Sequence, residues 1–387
     1  MMDNTFISYL LMTAIGTGAI HLILVAIGTR LIRRKTGANR AMSELPFVSI
    51  LVAARNEEEL FPYCIRSLCA QDYPENRIEI ILVDDQSDDR TADIIHEMAA
   101  EDARIIALSS NESSGLIGKA AALHTAVLRA RGEFILITDA DCTPPSPWVK
   151  NMVCQMQEED IGVICGVTAV SNHDLFSGIQ ALDWLLLLAT ASAASEAGFP
   201  LTGMGNNMCL RKTAYDSVGG YPGIPDSVTE DYALFKAIHA TGIWRSVLRI
   251  DPYLVNFTAP VKNFKDLWEQ RQRWAKGGFY AHPYVRVLMA LIFFAQLIPT
   301  IGLFLFPLPA VILILLKALG DAILTRVAQK QLRIHVPFRY FAVFELFLIG
   351  YLLAIPFSVL FVKRISWKGR TYWPGRKRTP SSGESLT

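Results

Sequence analysis

The sequence predicts an α/β fold, a mostly parallel sheet flanked by helices, framed by N-terminal and C-terminal transmembrane helices. Three observations predict it. Between Pro46 and Tyr284, short apolar, β-branched runs alternate with helical stretches, the pattern of strands buried on both faces. Hydrophobic residues make up 51% of the 387-residue chain and charged residues only 19%, too apolar for an ordinary soluble enzyme. The apolar excess is gathered in blocks at the two ends of the chain.

From Asn4 to Thr29 there is no Asp, Glu, Lys or Arg. That run exceeds the roughly 20 residues a helix needs to cross a bilayer. Asp3 is the one charge before it, whereas Arg30, Arg33, Arg34, Lys35 and Arg40 follow. This asymmetry predicts an uncleaved anchor with its N-terminus outside, rather than a signal peptide. Strands are expected over 47–53, 78–83, 104–108 and 133–138, with helices over 57–70, 90–100 and 118–130. A second apolar block, Val287 to Leu316, carries no charge, and a third, Tyr340 to Val362, contains only Glu345. The second would span about 45 Å as one helix. It is therefore either one tilted crossing or two that break near Pro307 and Pro309. In the latter case Lys317 and Asp321 lie in a membrane helix, each costly unless paired. The tail is basic (Lys363, Arg364, Lys368, Arg370, Arg376, Lys377, Arg378) and is expected on the cytoplasmic side. That needs an even number of crossings after the domain, although three fit the apolar lengths better. The expected domains are an anchor over 1–32, a catalytic domain over 44–285, a membrane region of two or three helices over 286–364, and a polar tail over 365–387.

A net charge of +1 gives no broad basic surface for nucleic acid. The six cysteines form no CxxC pair and no zinc-like spacing, and read as reduced, mostly buried small hydrophobes. Gly16-Thr-Gly18 follows no strand, and Gly115 to Ala120 lacks the spacing of a phosphate-binding loop. There is no nucleophile elbow and no H-E-x-x-H pattern.

In such a sheet, ligands bind at the carboxyl ends of the strands. The first strand runs into Arg55-Asn56-Glu57-Glu58, the second into Asp84-Asp85, and the fourth into Asp139-Ala-Asp141. Two carboxylates at a strand end suit Mg²⁺ or Mn²⁺ held against a nucleotide diphosphate, although a D-x-D triplet also serves as a turn or helix cap. Asp84-Asp85 fits either a nucleoside contact or a turn that caps the next helix. Glu230 and Asp231 at a helix start fit either dipole partners or a general base. Gln270-Arg271-Gln272-Arg273-Trp274 fits either an interfacial segment or a diphosphate and acceptor contact.

Taken together, these residues resemble family 2 glycosyltransferases with the GT-A fold, over about Pro46 to Trp274. The matching elements are Val48 to Glu57, Val83-Asp-Asp-Gln-Ser87, Gly118-Lys-Ala-Ala-Ala-Leu123, Asp139-Ala-Asp141, Gly203 to Arg211, Thr229-Glu-Asp231 and Gln270-x-x-Arg273-Trp274. The resemblance implies an inverting, membrane-bound enzyme similar to ceramide glucosyltransferase and other lipid glycosyltransferases. It implies Asp231 as catalytic base, with Glu230 and Arg273 in the catalytic set. Asp84, Asp85, Glu57, Lys119 and Asp139 would meet the nucleotide, and Asp139 and Asp141 a divalent metal, Mg or Mn. Gly203, Asn206, Asn207, Gln270 and Trp274 would line the acceptor site. The implied donor is a nucleotide sugar, most readily a UDP-sugar carrying a hexose. The implied acceptor is a lipophile in the membrane: a glycerolipid, sphingolipid-like molecule, polyprenyl phosphate or hydroxylated carotenoid. No nucleic acid is involved. The catalytic domain is expected on the cytoplasmic face of a bacterial inner membrane. A processive polysaccharide synthase is the alternative, against which stand the few apolar blocks and the tail Trp367 to Tyr372, which resembles the non-processive enzymes. Asp174 to Gly198, with its Trp184-Leu-Leu-Leu-Leu188 run, reads as either an interfacial helix or an ordinary buried one.

Overall fold

The computed structural model describes residues 4–33, 45–111, 115–225, 227, 229–279, 281–361, 365–367 and 370–372. The basic residues Arg34, Lys35, Arg40, Lys363, Arg364, Lys368, Arg376, Lys377 and Arg378 lie outside these. Helix α1 (Asn4–Ile32) is followed by β1 (Val48–Ala54), α2 (Phe61–Cys69), β2 (Ile78–Asp84), α3 (Thr91–Glu101), β3 (Ile105–Ser109), α4 (Gly118–Arg129) and β4 (Phe134–Asp139). Next come α5 (Trp148–Gln155), β5 (Ile161–Cys165), β6 (Thr168–Val170), the long α6 (Leu175–Glu196), β7 (Asn207–Arg211), α7 (Lys212–Ser217) and α8 (Gly220–Gly223). Then α9 (Glu230–Ala240), β8 (Arg245–Leu248), β9 (Asn256–Thr258) and α10 (Phe264–Phe279) lead to α11 (Pro283–Leu305), α12 (Pro307–Leu332) and α13 (Phe341–Phe361). Strands β10 (Ile365–Trp367) and β11 (Arg370–Tyr372) close the described chain.

Two compact units result. The first comprises Lys35–Ala169, Gly198–Ala259 and Lys363–Thr387. Its seven-stranded sheet has the order β3-β2-β1-β4-β7-β5-β8. Strands β3, β2, β1 and β4 run parallel, β7 runs antiparallel to both its neighbours, and β5 and β8 are parallel to each other. The strands are apolar along almost their whole length because both faces are covered, which is the condition for a parallel sheet. Phe61, Ile65 and Leu68 of α2 and Trp148 and Met152 of α5 pack with Ile50, Val52, Ile80 and Leu136 in one core. Helix α2 starts four residues later than the sequence suggests. The amides of Glu57 and Glu58 donate to Thr91 Oγ1 (2.9 Å) and Asp89 Oδ2 (3.1 Å), which ties this turn to the start of α3.

The second unit comprises Met1–Arg34, Val170–Ala197 and Pro260–Val362, which brings α1, α6 and α10 through α13 together. Among the described residues, five helices are long and apolar enough to cross a membrane: Ser8–Ile32, Leu175–Glu196, Pro283–Leu305, Pro307–Leu332 and Phe338–Val359. The second apolar block is broken at Phe306, where Pro307 starts α12. Lys317 and Asp321 then lie on α12, and the lysine pairs with Asp321 at 2.7 Å and with Glu345 of α13 at 2.8 Å. Charges in an apolar bundle persist only when paired in this way. Helix α6 is more enclosed than the others; Ile179 and Leu182 pack against Tyr340, Phe344 and Leu348.

Candidate active site

The strand register sets the framework. Ala53 of β1 is level with Asp139 on β4, and Ala54 is level with Asp84 on β2. Asp84 and Asp139 thus flank the end of the same central strand, about 10 Å apart at two strand spacings. Beyond β1 and β2 the backbone turns sharply: Asn56 (φ 52°) and Gln86 (φ 57°) both occupy the left-handed region. The two turns are stitched together. Asp88 N donates to Asn56 Oδ1 (2.8 Å), Asn56 N to Ser87 Oγ (3.1 Å), and Arg55 Nη1 to the carbonyls of Asp85 (2.7 Å) and Gln86 (2.6 Å). Such strained positions persist where surrounding bonds hold them, as at many ligand clamps. Asp85 is buried at 2% exposure and accepts from Ser110 Oγ at 3.0 Å, while Asp84 is half-buried and receives the amide of Ser87. Glu57 is half-buried in the first turn.

Gly118 (φ 61°) opens α4 in a conformation that an L side chain rarely takes, and Lys119 follows it. The Lys119 ammonium lies 2.5 Å from Asp139 Oδ1 and 3.4 Å from Glu230 Oε1. Burial works against its charge, but Asp139, Glu230 and Asp231 outweigh that and raise its pKa above the ordinary lysine value. Burial also raises the Glu230 carboxyl; Lys119 opposes the rise and Asp231 adds to it. The first turn of α9 is thereby joined to the end of β4.

Asp231 is fixed by backbone donors. Gly205 N donates to its Oδ2 at 2.8 Å and Tyr232 N to its Oδ1 at 2.7 Å. A Cβ at residue 205 would come 2.7 Å from Asp231 Cβ, and one at residue 203 would come 2.8 Å from Phe235 Cβ, so the Gly203–Asn207 loop can only close on α9 with glycines there. Asn206 and Asn207 brace the loop from below. The Asn206 carbonyl accepts from Thr138 Oγ1 (3.0 Å) and Asn256 Nδ2 (2.8 Å), and its side-chain oxygen accepts from Thr168 Oγ1 (2.9 Å). Asn207 is fully buried, donating to the carbonyls of Val167 and Leu254 and accepting from Trp148 Nε1.

Asp139 and Asp141 are both half-buried at the end of β4. Asp141 lies near Cys142 Sγ (3.5 Å) and Thr258 Oγ1 (3.4 Å). Two hard oxygen donors fit a cation that completes its shell with diphosphate oxygens and water. Among the described residues, no group of three or more His, Cys, Asp or Glu side chains gathers as a full metal shell. Burial pushes the thiols of Cys64 and Cys142 well up, and Asp141 and Asp139 push them further, which marks a region of negative potential and keeps these cysteines neutral. None of the six cysteines is in a disulfide.

Gln270, Arg273 and Trp274 belong to the second unit, on α10. Trp274 stacks on Trp184 of α6, with ring centroids 4.4 Å apart. Sequence reasoning passed over Asp183, Arg271, Ser110, Thr138 and Asn256. Asp183 had a readable signal, since it is the one charge between Leu175 and Ala194 of an apolar helix. The others differ in no way from neighbouring polar residues until the fold brings their partners to them.

The model of the family described as Glycosyl transferase family 21 matches residues 10–378. A beta-monoglucosyldiacylglycerol synthase of Trichormus variabilis is 30% identical over 257 residues, 66% of this chain and 53% of that relative. A poly-beta-1,6-N-acetyl-D-glucosamine synthase of Staphylococcus epidermidis is 28% identical over 235 residues, 60% of this chain and 54% of the relative. The chain spans about half the length of the curated relatives it matches. Among solved structures, a mannosyltransferase of Pyrobaculum calidifontis in complex with GDP-Man and Mn²⁺ superposes with a TM-score of 0.59 at 19% identity, covering 92% of this chain and 99% of that one. That likeness gives the GT-A type of α/β fold. With the family model covering nearly its whole length, the chain belongs to glycosyl transferase family 21, a GT-A-type relative of the family 2 glycosyltransferases that its motifs resemble.

Proposed function

We propose that the chain transfers a hexose from a nucleotide sugar, a UDP-sugar in first place, to a hydroxyl or phosphate of a membrane lipid, with inversion at the anomeric carbon. The observation that carries this reading is the Asp231 carboxylate, held by the Gly205 and Tyr232 amides and adjoining the Lys119–Asp139–Glu230 array. A base oriented from outside its own helix, beside residues suited to a diphosphate, is what acceptor activation requires.

Asp231 removes the acceptor proton as the acceptor oxygen attacks the anomeric carbon from the side opposite the departing diphosphate. Lys119 keeps Asp139 and Glu230 in place. Asp84, Asp85 and Glu57 bind the nucleoside, Asp84 and Glu57 through their side chains and Asp85 chiefly by shaping the turn, since it is buried. Asp139 and Asp141 would hold Mg²⁺ or Mn²⁺, which when bound would supply positive charge beside the leaving diphosphate. By the family pattern Arg273 is assigned to the diphosphate and Gln270 and Trp274 to the acceptor, and Gly203 and Asn206 of the first unit are likewise assigned to the acceptor. Asn207, fully buried, serves as a strut of that loop.

The relative named for monoglucosyldiacylglycerol favours diacylglycerol as the first acceptor to test, and its β-linked product agrees with inversion of an α-linked donor. The five apolar helices suit an acceptor dissolved in the bilayer. The positive charges after α1 support a catalytic domain on the cytoplasmic face of a bacterial inner membrane.

Membranes containing the protein, incubated with a panel of nucleotide sugars with and without a chelator, test this reading by mass spectrometry of the lipids. The expected result is one hexose on one lipid class, abolished by chelation. Long labelled polymers would instead support the synthase alternative, and no glycosylated lipid with any donor would defeat the proposal.

A further inference from the structure

Residue 271 occupies a position that the Gln-x-x-Arg-Trp pattern leaves free, yet Arg271 is the one buried side chain of that run, at 3% exposure. Its Nη2 meets Asp183 Oδ2 on α6 at 2.5 Å, and its Nη1 donates to Gln270 Oε1 at 3.3 Å. Its guanidinium lies 4.2 Å from the ring centroid of Trp274 and 5.7 Å from that of Trp184. The two indoles stack at 4.4 Å with 29° between their planes. Three residues before Asp183, the Gln180 side chain donates to Val261 O (3.2 Å) and accepts from Val261 N (3.0 Å), fixing the segment that leads into α10. All of these residues lie in one unit.

A buried ion pair is a poor way to gain stability, because removing two charges from water offsets most of their attraction. This one also leaves Trp184 Nε1 and Arg271 Nε buried without a hydrogen-bond partner. What it supplies is direction: the planar guanidinium fork, aimed by Asp183, touches both ends of the pattern, Gln270 and Trp274.

We infer that Asp183 and Arg271 are positioning residues for the lipid acceptor, setting the Gln270 amide and the Trp274 ring at the angle the acceptor headgroup meets, with the buried Trp184 backing the Trp274 ring. The inference rests on the proposed function, in which Gln270 and Trp274 line the acceptor site. It separates from that function in its test.

Two measurements on the full chain in detergent decide it. Stacked indoles couple, so the circular-dichroism difference between wild type and Trp184→Phe reports the pair without any substrate. Steady-state kinetics with UDP-glucose and dioleoylglycerol in mixed micelles then splits acceptor from donor. Asp183→Asn should lose most of the indole coupling and raise KM for dioleoylglycerol about tenfold or more, the scale of a modest misplacement, with donor KM and kcat within about threefold. Asp183→Glu should recover part of both. If Asp183→Asn loses far-UV helix signal, Arg271→Lys, which keeps the charge but not the fork, carries the same comparison. Retained coupling with an unchanged acceptor KM overturns the inference. So does an equal loss toward donor and acceptor, which a merely structural role gives. A wild-type enzyme that glycosylates neither dioleoylglycerol nor any other lipid defeats the proposed function instead. The coupling measurement then still decides whether Asp183 and Arg271 fix Trp274.

Discussion

Lys119, Asp139, Glu230 and Asp231 come from three separate stretches of sequence, and a single ammonium holds two of the carboxylates. Each residue is legible as part of a motif. Their pairing is not, because nothing local to Lys119 says that its partner lies on a helix formed far along the chain. The arrangement has a consequence for pH. Burial raises the Glu230 carboxyl above the ordinary glutamate value of about 4.3, so the folded state binds that proton more tightly than the unfolded chain. Its contribution to stability is complete below the unfolded value and is lost as pH rises through the folded one. Lys119 is raised from a value far above this window and stays protonated throughout. Glu230→Gln keeps the neutral form at every pH. Its melting temperature should therefore gain on wild type as pH goes from 4 to 8, by a few degrees, about 2–4 °C for each ~1 kcal/mol in a domain of this size. Thermal unfolding in detergent across that range measures it, and a difference that is flat or falls with pH contradicts the assignment.

Among the elements, the four parallel strands and the helices between them were readable because each is a long apolar run bounded by polar turns, and their observed limits fall within a residue or two of the expected ones, α2 excepted. The later strands β5 to β9 span only three to five residues each, and their pairings, antiparallel at β7, depend on partners distant in the sequence. The Gly203–Asn207 loop shows the same limit. Its glycines could be recognised from the family pattern, but their physical reason, contact with Asp231 and Phe235, needs the packing of α9. Adding a methyl group there forces either the loop or the carboxylate aside. Gly205→Ala is expected to cost about 1–3 kcal/mol of stability by overpacking and to lower kcat about a hundredfold by displacing Asp231. Turnover close to wild type in a folded Gly205→Ala protein would show that the Gly205 amide does not set the base.

At the scale of the whole molecule, the apolar ends announce a membrane protein, and among the described residues five helices meet the length and composition for crossing. Helix α6 was the ambiguous one in sequence, because a run such as Leu185 to Leu188 serves equally inside a protein or in lipid; it belongs with the apolar helices in the second unit. The central claim is that Asp231 acts on an acceptor while separate residues bind the donor. The most direct measurement compares Asp231→Asn with wild type in two assays on the same preparation: glycolipid formation and nucleotide-sugar binding by calorimetry. Turnover is expected to fall by about 10²–10⁴-fold, the usual worth of a general base, with donor affinity within a few-fold of wild type. Asp231→Asn that forms glycolipid at the wild-type rate, or that loses the donor as completely as it loses turnover, would contradict it.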